Sequence, residues 1–111
     1  LYIDDCIRTL SDIGLKQFDS EIEIFNVGSD DQIDANSIAH IIIDELGLQP
    51  EIRYPSQDND GRGWVGDIKN MLLSTDRLKK IGWKINHSSK ESIYLTTKQI
   101  IDNSCGIKKI V

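Results

Sequence analysis

The chain has 111 residues, enough for one domain with a modest core; a chain of this size buries roughly 65% of its unfolded surface. Its net charge of −5 withholds the basic face that nucleic acids and anionic membranes require. No apolar run approaches the ~20 residues of a membrane span, and no basic-then-apolar signal segment opens the sequence. Isoleucine is the dominant apolar residue, so the sequence predicts an isoleucine-rich core.

The apolar residues Ile3, Ile7, Leu10 and either Leu15 or Ile13 fall near helical spacing, which predicts a helix over 3–14. Asp4 and Asp5 lie in its first turn, where the helix dipole favours anions, and Gly14 is a plausible stop. Glu21 to Val27 alternates polar and apolar residues, the period of a strand, and Gly28 ends it. Asp34 is placed to cap a helix over 35–46 whose apolar positions Ile38, Ala39, Ile42, Ile43 and Leu46 form one stripe. Gly47 is its expected C-terminal residue. Residues 51–54 read as a short strand stopped by Pro55.

A polar, glycine-rich loop over 56–67 follows, then a short strand over 69–73. Ser74 or Thr75 caps a short helix over 76–81, closed by Gly82. Ser88 and Glu91 have the spacing of a capping box, opening a helix over about 90–102 with Ile93, Thr97, Ile100 and Ile101 on one face. Trp83 is expected in the core. Residues 106–111 read as a loosely held tail. The order predicts a small α/β (mixed α+β) domain with too few strands for a doubly wound sheet.

Chemistry concentrates in Gly61-Arg62-Gly63-Trp64-Val65-Gly66-Asp67. Glycine lets the main chain turn sharply and approach a ligand. Arg62 offers the forked donor set that matches phosphate oxygens, Trp64 a stacking face, and Asp67 an acceptor for sugar hydroxyls. Together they suit a phosphorylated sugar or nucleotide. The plain alternatives are a solvated arginine, a tryptophan that packs the loop down, and a turn aspartate.

Other constellations are weaker. Ser56, Asp58, Asp60, Gly61 and Asp67 have the spacing of a calcium loop, but serine opens it, aspartate closes it, and Pro55 stands where a helix should enter. His40 and His87 have no second ligand at metal spacing and read as structural or solvated. Cys6 and Cys105 form no C-x-x-C motif and fit a reduced, cytoplasmic protein, with a disulfide between them left open.

Five landmarks, in order along nearly the whole chain, resemble the C-terminal part of the extended short-chain dehydrogenase/reductase family, the NAD-dependent nucleotide-sugar epimerases and dehydratases. They are Tyr2-Ile3-Asp4-Asp5, Phe25-Asn26-Val27-Gly28-Ser29, the helix ending at Leu46-Gly47, Gly66-Asp67, and Leu78-Lys79-Lys80-Ile81-Gly82-Trp83-Lys84. Within that family the landmarks resemble those of UDP-glucose 4-epimerase-like proteins. Trp64 stands where many members carry the phosphate-contacting arginine, with Arg62 two residues earlier, and Ile85 replaces the usual proline.

The resemblance implies a substrate-binding segment that contacts a nucleotide sugar through Arg62, Asp67, Asn26 and Trp64. It also implies that residues 1–28 are the end of a missing nucleotide-binding half, 29–105 the substrate-binding segment and 106–111 a tail. No G-x-x-G-x-x-G fingerprint is present. Tyr94 and Lys98 satisfy Tyr-x-x-x-Lys in letters, but they lie in the last helix with no cofactor-binding half to work against. NAD is therefore expected in the full-length enzyme and not on this chain, which is expected to be inactive alone. Apolar surface left by the missing half predicts self-association. The rival readings are a non-catalytic acidic interaction module and a calcium-binding loop protein.

Overall fold

The computed structural model describes residues 1–54, 66, 68 and 70–104. These contain four helices: α1 (Ile3–Gly14), α2 (Ala35–Leu46), α3 (Asp76–Lys80) and α4 (Ser89–Asn103). Each expected helix is present, and α2 and α4 carry side-chain caps at their N-termini. The Asp34 carboxylate accepts from the Ser37 amide at the start of α2. Ser88 and Glu91 close the anticipated capping box at the start of α4.

Two helices end the same way. After α2, Gly47 takes φ 64°, its N–H donates to the Asp44 carbonyl, and the Leu48 N–H donates to that of Ile43. After α3, Gly82 takes φ 87°, its N–H donates to Lys79, and the Trp83 N–H donates to Leu78. Both are Schellman turns, which satisfy the last free carbonyls and require a residue at home in the left-handed region.

The expected strands are not formed. Among the described residues there is no strand at 21–27, at 51–54 or at 70–73, so the mixed α+β expectation is met only in its helices. The two-residue period of 21–27 does survive in its burial: Ile22, Ile24 and Asn26 are exposed, while Glu23, Phe25 and Val27 are half-buried. A strand also needs a second chain to receive its N–H and C=O groups. Here side chains make the cross-contacts instead. Phe25 meets Phe18 at 5.5 Å between ring centroids, and the Arg77 guanidinium bonds Glu23 at 2.7 Å.

The core also differs from the isoleucine-rich one expected. Its buried apolar residues are Tyr2, Leu78 and Trp83. Leu78, on the short helix α3, is fully enclosed, and Trp83 is buried as anticipated. The isoleucine faces lack a covering layer among the described residues. Helix α1 is the clearest case, for it buries Asp5 and Thr9 while Ile3, Ile7 and Leu10 stand exposed. α2 packs against α4. On α4 the buried residues are Ser92 and Thr97, whose hydroxyls donate to the Ser88 and Ile93 carbonyls, whereas Ile100 and Ile101 remain exposed.

Candidate functional site

Of the residues expected to contact a nucleotide sugar, Asn26 is described. Arg62, Trp64 and Asp67 lie outside the described residues, as do Ser56, Asp58, Asp60 and Gly61 of the calcium-loop reading. Gly66, between Trp64 and Asp67 in sequence, takes φ 96°, a conformation L side chains rarely adopt.

Asn26 ends the alternating segment, and the turn after it runs alongside residues 70–75. The Asn26 Nδ2 donates to the Ser74 carbonyl at 3.1 Å, and the Gln32 Nε2 donates to the Met71 carbonyl at 3.1 Å. Between them, Asp30 Oδ1 accepts from the Thr75 hydroxyl at 2.8 Å and pairs with the Lys79 ammonium at 2.8 Å. The Lys79 ammonium first, and then the Thr75 hydroxyl, holds the Asp30 carboxyl below the usual carboxylate range. Gly28 completes the contact: a Cβ there would sit 3.8 Å from the Leu73 Cβ.

Beside this turn lies an open cavity of about 480 Å³, lined by Asp31, Gln32, Ile33, Asp34, Asn70, Met71 and Ser89. Its two carboxylates serve helix ends. Asp34 caps α2, and Asp31 accepts from the Ser89 N–H, 3.0 Å from each carboxylate oxygen, at the start of α4. Such an N-terminus is a ready phosphate site when it is open. Here carboxylates already occupy both.

A second polar cluster escaped the sequence reading. Asp5 is buried at 1% exposure. Its Oδ1 accepts from the Asn86 N–H at 3.0 Å and the Arg8 guanidinium at 3.1 Å; its Oδ2 accepts from the His87 N–H at 3.1 Å and stands 2.9 Å from His87 Nδ1. Burial opposes the charge, but these hydrogen bonds outweigh it and hold the Asp5 carboxyl below its usual range. Arg8 also lies over the Trp83 ring, 5.5 Å from its centroid, and donates to the Lys84 carbonyl. Tyr2 meets His87 edge-on at 4.9 Å. The cluster fastens α1 to the entrance of α4. In sequence only the first-turn position of Asp5 was visible; its partners Asn86 and His87 lie 81 and 82 residues away.

His40 is exposed, and His87 is half-buried in this structural role. Among the described residues no group of three or more histidine, cysteine or acidic side chains is arranged to hold a metal. No helix there is long and apolar enough to cross a membrane. Tyr94 and Lys98 meet on the exposed side of α4, with the ammonium 5.4 Å from the ring centroid.

No family model matches the chain. Its similarity lies with enzymes of nucleotide sugars. It is 28% identical over 103 residues to GDP-L-fucose synthase of Sinorhizobium fredii (strain NBRC 101917 / NGR234), covering 93% of this chain and 30% of that protein. It is 26% identical over 109 residues to probable GDP-L-fucose synthase 1 of Oryza sativa subsp. japonica, covering 98% of this chain and 31% of that protein. The chain thus spans less than a third of the length of these relatives.

Proposed function

We propose that this chain is the substrate-binding portion of an NAD(P)-dependent nucleotide-sugar epimerase, dehydratase or reductase, and that it is inactive alone. The observation that carries the reading is the similarity to two GDP-L-fucose synthases, which runs over more than nine-tenths of the chain. The landmarks from Tyr2-Ile3-Asp4-Asp5 to Gly82-Trp83-Lys84 agree with it.

In this reading Arg62 neutralises the diphosphate, Asp67 accepts from the ribose hydroxyls, and Trp64 covers the base or the pocket mouth. Asn26 belongs to the neighbouring turn, on the sugar side. The base is guanine or uracil: the relatives' names favour a GDP-sugar, and the motif resemblance favours a UDP-glucose 4-epimerase-like substrate.

The chain's own residues do not fit a dinucleotide cofactor. The glycine fingerprint is missing from the sequence, and carboxylates occupy the N-termini of α2 and α4, where a pyrophosphate would meet negative charge. The cofactor would therefore be held by polypeptide outside these residues. That portion would also cover Ile3, Ile7 and Leu10 of α1 and the exposed Ile22 and Ile24; without it the same surface drives self-association. A cytoplasmic setting agrees with the sparse cysteines.

Titration calorimetry with GDP-L-fucose, UDP-glucose and the free sugars tests the reading. Binding of a nucleotide sugar, and of no free sugar, supports it. Absence of heat with both nucleotide sugars at millimolar concentration refutes it and favours a non-catalytic interaction module.

A further inference from the structure

We infer that the turn from Asn26 to Gln32 is a clasp that sets the register of residues 70–75, with Asn26, Asp30 and Gln32 acting as positioning residues. The consequence for ligand binding rests on the reading above. The inference itself rests on where the main-chain groups of residues 70–75 find their partners.

A segment without a strand neighbour has carbonyls that no ladder satisfies. Two of those carbonyls, Met71 and Ser74, receive the side-chain amides of Gln32 and Asn26 at 3.1 Å each. The amides stand in for the N–H groups of an absent strand. Between them the Thr75 hydroxyl reaches Asp30 at 2.8 Å, and Thr75 is 2% exposed. The same carboxylate oxygen accepts from Lys79, so the clasp extends to α3. Seven residues on one side thereby hold six on the other at three places.

Residues 70–75 directly continue the stretch that carries Arg62 and Asp67. Asn26 therefore acts through Ser74, with one N–H of its amide committed to the main chain. This differs from a direct role at the sugar, which needs that amide turned toward the ligand.

The test uses the whole chain with Asn26→Asp, which keeps the shape but turns a donor into an acceptor, and with Thr75→Val, which removes the hydroxyl. Thr75→Ser is the conservative control. Carbonyl carbon-13 shifts of Met71 and Ser74 are compared with those of α4, and affinity is measured for GDP-L-fucose and UDP-glucose. The expected result is a moved Ser74 carbonyl shift in Asn26→Asp, unmoved carbonyl shifts across α4, and nucleotide-sugar affinity weakened about threefold to tenfold, as loss of one hydrogen bond allows. Thr75→Ser keeps the affinity that Thr75→Val loses. An unmoved Ser74 shift in Asn26→Asp, or shifts that move equally in α4, overturns the clasp. If the unsubstituted chain binds neither nucleotide sugar while the carbonyl shifts move locally, the functional reading fails and the clasp stands.

Discussion

The Nδ1 of His87 stands 2.9 Å from the Oδ2 of Asp5, across 82 residues of chain. A proton on Nδ1 lets the ring donate to a carboxylate that already accepts main-chain N–H groups of Asn86 and His87. One buried side chain thus fastens α1 to the loop that opens α4. This attachment keeps in place a helix whose apolar face is exposed.

Replacing Asp5 by alanine leaves the N–H groups of Asn86 and His87 without their acceptor inside the fold, while Arg8 keeps the Lys84 carbonyl. Buried networks broken at one partner lose about 3 kcal/mol. We expect Asp5→Ala to lower stability by about that amount in urea titrations, and His87→Ala, which leaves both main-chain bonds in place, to lower it by less than half as much.

The same carboxylate sets an acid limit. Its folded value lies below the unfolded one, so it stabilises the fold fully above the ordinary carboxylate range. That contribution is lost as the pH falls through the folded value. Melting temperature should stay level from pH 7 to about pH 5 and fall below about pH 4, near the ordinary aspartate value. In Asp5→Asn the fall should be shallower. Equal slopes in both proteins would assign acid sensitivity to other groups.

The capping box of α4 gives a smaller and cleaner effect. Ser88 accepts from the Glu91 N–H at 3.2 Å, and Glu91 accepts from the Ser88 N–H at 2.8 Å. Ser88→Ala should cost about 1 kcal/mol. Far-ultraviolet circular dichroism during melting should show it as an earlier loss of helix.

Ile7 and Leu10 are 57% and 69% exposed on α1. Lysine at either position should leave the melting temperature of the isolated chain within about 2–4 °C, because surface changes away from specific contacts alter stability by at most about 0.5 kcal/mol. Sedimentation should then show less self-association than in the unsubstituted chain. A large loss of stability in dilute solution would mean that the stripe is covered within the chain.

The helices were legible because their signals are local. Asp34, Gly47, Gly82 and the Ser88–Glu91 pair each act within a few residues of themselves. The alternation of 21–27 was equally legible, but periodicity reports which faces differ and not whether a partner strand exists. Composition announced an isoleucine core, whereas burial depends on a covering layer, which the isoleucines of α1 lack. Asn26 was singled out by position, yet its partner Ser74 lies 48 residues away and leaves no mark in the local sequence. Asp5 was hidden for the same reason. Arg62, Trp64 and Asp67 remain a motif argument, because a matching of charge and shape to phosphate, base and ribose is chemistry that side-chain type alone suggests.

Nucleotide-sugar affinity of the unsubstituted chain, set beside that of Arg62→Ala, bears most directly on the account. A guanidinium bound to a diphosphate contributes about 1.5–3 kcal/mol, so the substitution should weaken GDP-L-fucose or UDP-glucose binding by about tenfold to a hundredfold while leaving the melting temperature unchanged. Equal affinities for the two proteins, or no detectable affinity in either, would contradict it.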